Sequence, residues 1–346
     1  MRSRVTSAFL AAAGFVAVVA PAQAGQETLQ PLRAVTVPIG PFTPQVRDAV
    51  LSHALTPAGV KARAAAAARY STRDGTSIPV QVSPSYKASA SVIQSYVTYL
   101  GSLMHGDELR SLHVYIAPPK QITSTFCGAG ALACYEGDNQ TMYVPGAQQQ
   151  SNPPLQFLIA HEYGHHIEIS RSNPPWNAYD TGTKNWFTYE QVCTRTRDRK
   201  LGTNYWNDPS EGFAEAYADS QYPGVAFPYS TLMLPDQGAY NAIRRDVLQP
   251  WIGPHAVPFS GSLSAGRGAS QSFQLPTPLD GTATFTLSPP AKADYRLTVT
   301  AGRQTLAKGA KGTTTIRTLC GVRSVTLQVT RVNGSSGAFG LVANVP

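Results

Sequence analysis

Alternating apolar and polar residues divide the chain into two regions with different predicted architectures. Between residues 76 and 252, short alternating runs centred on residues 78–82, 112–116 and 141–144 predict strands. Other segments of this region have apolar residues three or four positions apart, which predicts helices. From residue 259 to residue 346 only alternating runs occur, with Gly or Pro between them, and this predicts an all-β sandwich. The predicted fold class is therefore α+β, with a β-sandwich as the C-terminal domain.

One of the predicted helices contains an unusual run of charged side chains. Asn152 and Pro153 predict its start, because Asn is a good helix cap and Pro needs no amide hydrogen in the first turn. Within it, His161 and His165 lie four residues apart and therefore on one face, where both imidazoles can reach one metal ion. Glu162 lies about 100° further round the helix, where a carboxylate can take a proton from a water molecule on that metal.

A second helix, which begins at Asp208-Pro209, is the expected source of a third metal ligand. A catalytic zinc ion takes three protein ligands and keeps one position open for water. No His follows at a suitable spacing, so a carboxylate is favoured. Glu211 is the preferred ligand, with Glu215 as the hydrogen-bond partner of a ligand His. Glu211 could instead complete a capping box with Asp208. Glu215 could be the ligand with Asp219 behind it, and Glu190 is a more distant candidate.

Two runs of residues resemble a known group of enzymes. His161-Glu162-Tyr163-Gly164-His165 followed by Glu211-Gly212-Phe213-Ala214-Glu215-Ala216 is similar to the gluzincin metallopeptidases. The second run resembles the catalytic domain of anthrax lethal factor-like proteins, and residues 125–166 resemble the bacterial neutral zinc metallopeptidases. The resemblance covers residues 110–222. It implies a zincin-like fold for residues 76–252, Zn²⁺ as cofactor and Glu211 as the third ligand. It also implies a Tyr ahead of that Glu that stabilises the substrate oxyanion, for which Tyr205 is the nearest candidate.

The N-terminus carries the features of a secretion signal. Arg2 and Arg4 precede an apolar run at residues 9–20, and Ala22-Gln23-Ala24 offers a small-residue cleavage site, which predicts residues 1–24 as signal peptide. Residues 25–75 are expected to form a lead-in or pro-segment, with a helix at residues 61–69. The mature protein is therefore expected to be secreted, either extracellular or periplasmic.

Export favours disulfide bonds between the four cysteines of the chain. Cys127 and Cys134 are close enough for a local bridge, which leaves Cys193 and Cys320 as the other pair, although spacing alone does not decide the connectivity. No two cysteines have the spacing of a zinc quartet, so the metal site is expected to use His and Glu instead.

Charge and hydropathy bear on the expected partners. The formal net charge is +8, but the cations are mostly scattered and no nucleic-acid module is recognisable, so nucleic acid is not an expected partner. No run approaches the ~20 apolar residues that span a membrane after the signal. The expected partner is a peptide or protein substrate, held extended by an edge strand at residues 142–144. A monomer is the default expectation.

These patterns together predict a secreted zinc-dependent endopeptidase. Zinc would activate a water molecule and Glu162 would act as general base. The alternative is a non-catalytic zincin-like binding protein that holds zinc structurally and attaches to a surface through its β-domain. The carboxylate of Glu162 favours the enzyme, because a structural zinc site has no need of a base.

Overall fold

The structure is a computed structural model and describes residues 67–146, 153–202, 205–225 and 232–346. Its helices are α1 Ala90–Leu100, α2 Pro119–Gln121, α3 Leu155–Ile169, α4 Ala178–Thr181, α5 Lys184–Tyr189, α6 Val192–Arg197, α7 Pro209–Gln221 and α8 Gln237–Leu248. Its strands are β1 Ala68–Ser71, β2 Ser77–Val82, β3 His113–Ala117, β4 Cys134–Glu136, β5 Thr141–Pro145, β6 His255–Leu263, β7 Ser270–Pro276, β8 Gly281–Ser288, β9 Ala293–Ala301, β10 Gln304–Gly309, β11 Gly312–Leu319, β12 Ser324–Gly334 and β13 Gly337–Val345. The predicted signal peptide lies outside the described residues.

The first lobe, residues 68–248, is built on a five-stranded sheet in the order β1-β2-β3-β5-β4. Strands β2, β3 and β5 are parallel, whereas β1 and β4 run antiparallel to their neighbours. The strand predicted at residues 141–144 is present as β5, but β4 pairs alongside it, with Tyr135 opposite Met142. The prediction of a substrate-binding edge at residues 142–144 is therefore wrong. That edge of the sheet belongs to β4.

The two faces of this sheet are covered by different segments. On one face Val114 and Met142 belong to the main core, which includes residues of α1, α3 and α7. The opposite face carries Tyr115 and Tyr143, and Phe126 stacks on Tyr143 with ring centroids 4.8 Å apart. The Cys127–Cys134 disulfide joins this covering segment to β4. Strand β4 contributes to both faces, because Cys134 lies on the side of Tyr143 and Tyr135 belongs to the main core.

Two helix starts test the capping predictions. Helix α7 begins as predicted, with the Asp208 carboxylate accepting the amide hydrogen of Ser210 at 3.0 Å. Helix α3 begins at Leu155 with Pro154 as the preceding cap residue. Pro153 is therefore outside the helix, contrary to prediction, and Asn152 lies outside the described residues.

The predicted helix at residues 61–69 is wrong where the structure describes it. Residues 68–71 form β1, which pairs antiparallel with β2. Residues 61–66 lie outside the described part of the chain. The side chain of Tyr70 packs against the core, and the segment pairs with β2. These contacts outweigh the helix propensity of its alanines.

Helices α3 and α7 cross at Gly164. A Cβ added there would lie 2.8 Å from the Cα of Ala214 and 3.1 Å from its Cβ, closer than carbon atoms pack. The absence of a side chain at Gly164 therefore sets the distance between the two helices that carry the charged residues of the predicted metal site.

Replacing Gly164 with Ala is expected to lower the melting temperature and to weaken metal binding. Ala favours a helix by about 1 kcal/mol over Gly, but the added methyl forces α7 away from α3 at a cost of about 1–3 kcal/mol. Thermal unfolding and a zinc titration measure both effects. In the control Gly202→Ala the new Cβ meets nothing within 4 Å, so both quantities should stay unchanged. Wild-type values in Gly164→Ala would contradict the close approach.

The predicted C-terminal β-sandwich is present. One sheet has the order β10-β9-β12-β7 and the other the order β11-β8-β13-β6, and all pairings are antiparallel. Alternate residues of the facing strands, such as Phe285, Leu297, Leu327 and Leu341, form a separate buried core. The period of two in the sequence corresponds to this inward and outward alternation.

A disulfide and hydrogen bonds from Asp280 and Arg323 to Thr188 join the β-sandwich to the first lobe. Cys193 of α6 is bonded to Cys320, and both predicted disulfide pairs are therefore confirmed. The buried Asp280 accepts hydrogen bonds from Arg323 at 2.6 Å and from the amide of Gly321 at 3.0 Å, while its own amide donates to Thr188. Two disulfides indicate an oxidising compartment, extracellular or periplasmic. None of the helices that the structure describes has the length and apolar character needed to span a membrane.

Candidate metal centre

Helix α3 is buried on nearly all sides, which places charged side chains inside the first lobe. Residues 157–168 are all buried, and His161, Glu162 and His165 are at most 5% exposed. Burying ionisable groups costs several kcal/mol unless they are paired or bind a metal ion. Such a cluster on a core helix therefore indicates a site rather than a packing accident.

Three potential ligand atoms converge between α3 and α7. The Nε2 atoms of His161 and His165 are 3.2 Å apart. Oε2 of Glu211 lies 3.2 Å from Nε2 of His161 and 3.6 Å from Nε2 of His165. Ligands bound to zinc at about 2.0–2.1 Å in a tetrahedron are about 3.3–3.4 Å from one another. The triangle thus has the size of one face of a zinc tetrahedron, and a buried His161, His165 and Glu211 group could hold a metal ion.

The structure brings Glu211, and neither of the other candidates, into this group among the residues it describes. Asp208 caps α7 with its own carboxylate, and the Glu211 side chain points to the histidines instead of closing a capping box. Glu215 accepts the hydroxyl hydrogen of Tyr205 at 2.6 Å, so it is not the partner of a ligand His that was predicted. Glu190 pairs with Arg195 at 3.1 Å.

Glu168, which the sequence analysis missed, is the carboxylate that orients a ligand histidine. Its Oε2 lies 2.9 Å from Nδ1 of His165 and accepts the Ser210 hydroxyl hydrogen at 2.8 Å. A carboxylate on Nδ1 keeps that nitrogen protonated, so Nε2 is left to bind the metal. The available signal was the spacing, because a residue three positions after His165 lies on the same face of the helix.

Replacing Glu168 with Ala is expected to reduce metal affinity by about 10- to 100-fold, the usual effect of removing such a partner. The imidazole of His165 would lose the group that fixes its ring and tautomer. A zinc titration against a competing chelator measures the change. Glu190→Ala removes a buried carboxylate outside the centre and should leave the affinity unchanged. Equal affinities of Glu168→Ala and the wild type would contradict this role.

Glu162 lies beside the triangle as the spacing predicted. It is 1% exposed, and its Oε1 has no hydrogen-bond partner among the described residues. Burial raises the pKa of Glu162 to about 8, opposed by His165 and reinforced by Glu211. A divalent cation in the triangle would lower this pKa, because an adjacent positive charge favours the carboxylate. In a metal-loaded centre Glu162 would therefore be ionised, with its Oε1 not engaged by any described residue.

Two tyrosines lie near the carboxylates of the centre. The hydroxyl of Tyr205 is bound to Glu215, and burial followed by the charges of Glu215 and Glu211 raises its pKa well above the usual value. Its catalytic role therefore stays a prediction that would require this bond to open. Tyr179, which the sequence analysis missed, is half-buried, with its ring 6.4 Å from that of His165. Burial raises its pKa, with smaller contributions from Glu168, Glu162 and Glu211.

His166 is directed away from the triangle and connects α3 to β4. Its Nε2 donates to the backbone oxygen of Glu108 at 2.8 Å, so its Nδ1 accepts the Tyr135 hydroxyl hydrogen at 2.9 Å. Burial lowers the pKa of His166 to about 4, which keeps the ring neutral and suited to both bonds. His166 is thus a polar partner next to the site, and it fixes the edge strand β4 relative to α3.

Comparisons with known proteins do not identify a family for this chain. No protein-family profile and no curated protein matches the chain. PliG, a periplasmic inhibitor of g-type lysozyme from Aeromonas hydrophila, covers 29% of this chain and 93% of its own, with 15% identity and a TM-score of 0.23. A designed double-stranded β-helix covers 26% of this chain and 96% of its own, with 6% identity and a TM-score of 0.17. Such low scores show neither a shared fold nor a shared function.

Proposed function

We propose that this protein is a secreted zinc-dependent endopeptidase of the zincin type. The observation that carries the proposal is the buried triangle of His161, His165 and Glu211 with Glu162 beside it. A structural metal site needs ligands only, whereas a site with three protein ligands and an adjacent carboxylate has the composition of a hydrolytic zinc centre.

The donor set favours zinc over magnesium and calcium. Two imidazole nitrogens and one carboxylate oxygen suit zinc, while magnesium and calcium prefer sites made of oxygen atoms alone. The ligand separations of 3.2–3.6 Å also fit a compact tetrahedral ion. His161, His165 and Glu211 would hold the ion, and Glu168 would orient the ring of His165.

The residues of the chain have separable roles in the proposed reaction. A bound zinc ion would supply Lewis-acid activation of water and of the scissile carbonyl. Glu162 accepts a proton from the attacking water and delivers it to the leaving amine as the carbon–nitrogen bond breaks. The products are a new carboxyl terminus and a new amino terminus. Tyr205 remains the proposed oxyanion stabiliser, provided that its hydroxyl leaves Glu215.

The substrate peptide is proposed to bind along β4. This strand ends the sheet on one side and pairs only with β5 among the described strands. An extended peptide can add to such an edge through main-chain hydrogen bonds, which recognise any sequence. The bond between Tyr135 and His166 holds this edge beside α3, so an added peptide would lie near the metal centre.

A cleavage assay with metal exchange tests the proposal. The purified protein should cleave an unfolded protein substrate, lose this activity with a chelator and regain it when zinc is returned. Binding of one zinc per chain without cleavage of any unfolded substrate would support the alternative, a zincin-like protein with a structural ion. Activity that survives complete removal of the metal would contradict the proposal outright.

A further inference from the structure

The β-sandwich has one end attached to the first lobe and one end far from it. The attached end carries Asp280, the Cys320 disulfide and the start of β12. Antiparallel strands place the loops between β6 and β7, β8 and β9, β10 and β11, and β12 and β13 at the opposite end. Hydrogen bonds join these loops, for example from the Ser335 amide to the Lys292 carbonyl at 3.1 Å. We call this opposite end the distal tip.

Positive charge is concentrated on the β-sandwich and not on the first lobe. Residues 255–346 contain nine Lys and Arg but only two Asp, a net charge of +7 with His neutral. Residues 67–254 contain 13 Lys and Arg against 16 Asp and Glu, a net charge of −3. Of the two acids in the sandwich, Asp280 is buried and paired with Arg323. Only Asp294 is then available to neutralise the remaining cations.

Six of these cations lie at or beside the distal tip; one of them, Arg331, is half-buried and donates to the backbone carbonyls of Ala265 and Gly334. The other five are exposed. Three loops of the tip carry one of these five each, and two more lie near the distal ends of β9 and β10: Arg267, Lys292, Lys311, Arg296 and Lys308. None of the five exposed side chains makes an ion pair with another described residue. Arg296 and Lys308 point to the same outer face, because Lys308 pairs with Thr298, two positions from Arg296.

The tip lacks the features that insertion into a membrane and the stacking of nucleic-acid bases need. None of the exposed large apolar residues of the described chain lies in its loops, and Tyr295 nearby is fully buried. Membrane insertion requires exposed apolar side chains, and base stacking requires exposed aromatic rings. Recognition by charge alone suits a hydrated polymer whose negative groups repeat along its length. In the oxidising compartment that the disulfides indicate, acidic polysaccharides are polymers of this kind.

We propose that the distal tip binds an acidic polysaccharide and so attaches the protein to a polyanionic matrix. The strands of the sandwich are up to 11 residues long, which at about 3.3 Å per residue separates the tip from the attached end by up to roughly 35 Å. A polymer on the tip therefore leaves the metal centre accessible. The inference does not depend on the proposed peptidase activity.

Binding of the full-length protein to polygalacturonate tests the proposal. The wild type should bind in about 50 mM salt and dissociate in about 500 mM salt, because screening weakens contacts between exposed charges. The variant Arg267→Glu/Lys308→Glu/Lys311→Glu should bind at least about tenfold more weakly at low salt, since three contacts become repulsive. Zinc content and melting temperature equal to those of the wild type show that this variant folds.

A charge-matched control distinguishes binding by the distal tip from binding by the net charge of the whole protein. Arg303→Glu/Arg317→Glu/Lys120→Glu changes the net charge by the same amount, at exposed residues outside the tip, and should retain affinity within about threefold. Equal losses in the two triple variants would overturn the proposal, because net charge and not the tip would then account for binding. Tighter binding to duplex DNA or to anionic lipid vesicles than to polygalacturonate would also overturn it.

Discussion

Replacing Glu162 with Gln is expected to lower peptide hydrolysis by about 10²- to 10⁴-fold, the usual contribution of a general base, while the protein keeps its zinc. The amide has the shape of the carboxylate and fits the same buried position, which is 1% exposed, but it cannot accept the proton from water. The melting temperature should not fall, because the substitution removes a buried ionisable group. Initial cleavage rates and zinc content measure the two quantities on the same sample.

The control for this variant is Glu190→Gln, which alters another buried glutamate, 5% exposed and paired with Arg195. It should keep both zinc and wild-type turnover. If Glu162→Gln retained wild-type turnover with zinc bound, Glu162 could not be the base. If it lost the zinc, Glu162 would belong to the ligand set.

Replacing Glu211 with Ala is expected to reduce bound zinc from one per chain to less than about a tenth and to abolish hydrolysis. Two histidines alone leave the ion with too few protein ligands for a stable tetrahedral site. Metal analysis after exhaustive dialysis gives the stoichiometry directly.

Glu215→Gln is the matched control for Glu211, because it changes a second buried glutamate one turn along α7. It should keep the zinc, since Glu215 bonds to Tyr205 and lies outside the triangle. Full zinc in Glu211→Ala, or loss of zinc in Glu215→Gln, would reverse the assignment of the third ligand.

Local patterns predicted the elements that carry the candidate centre. The four-residue spacing of His161 and His165 places both side chains on one face of any helix, so it could be predicted without knowledge of the rest of the fold. Asp208 likewise marked the start of α7 through the chemistry of its own side chain. The alternating runs after residue 259 predicted the sandwich for the same reason.

Contacts between distant segments determine the third ligand and the strand order, which local sequence patterns do not predict. Glu211 and Glu215 lie on one face of α7, so spacing alone does not separate them; the crossing of α3 and α7 at Gly164 does. The order of strands in the sheet is also non-local. Strand β4 has three residues, Cys134–Glu136, too few for a recognisable alternation, so the edge was assigned to β5 instead. The spacing of three between His165 and Glu168 occurs in any helix and does not by itself identify a pair; the bond of Glu168 to Ser210 of α7, which helps to hold it against His165, is non-local.

Mass spectrometry of cleavage products in ¹⁸O-labelled water tests whether the protein is a zinc-dependent endopeptidase. A library of unfolded peptides would be incubated with the zinc-loaded protein, with the chelated protein and with the Glu162→Gln variant. Internal cleavage is expected from the zinc-loaded protein alone, with ¹⁸O in each new carboxyl terminus, because water is the proposed nucleophile. An uncleaved library in the presence of one bound zinc per chain would show that the protein is not a peptidase of this kind.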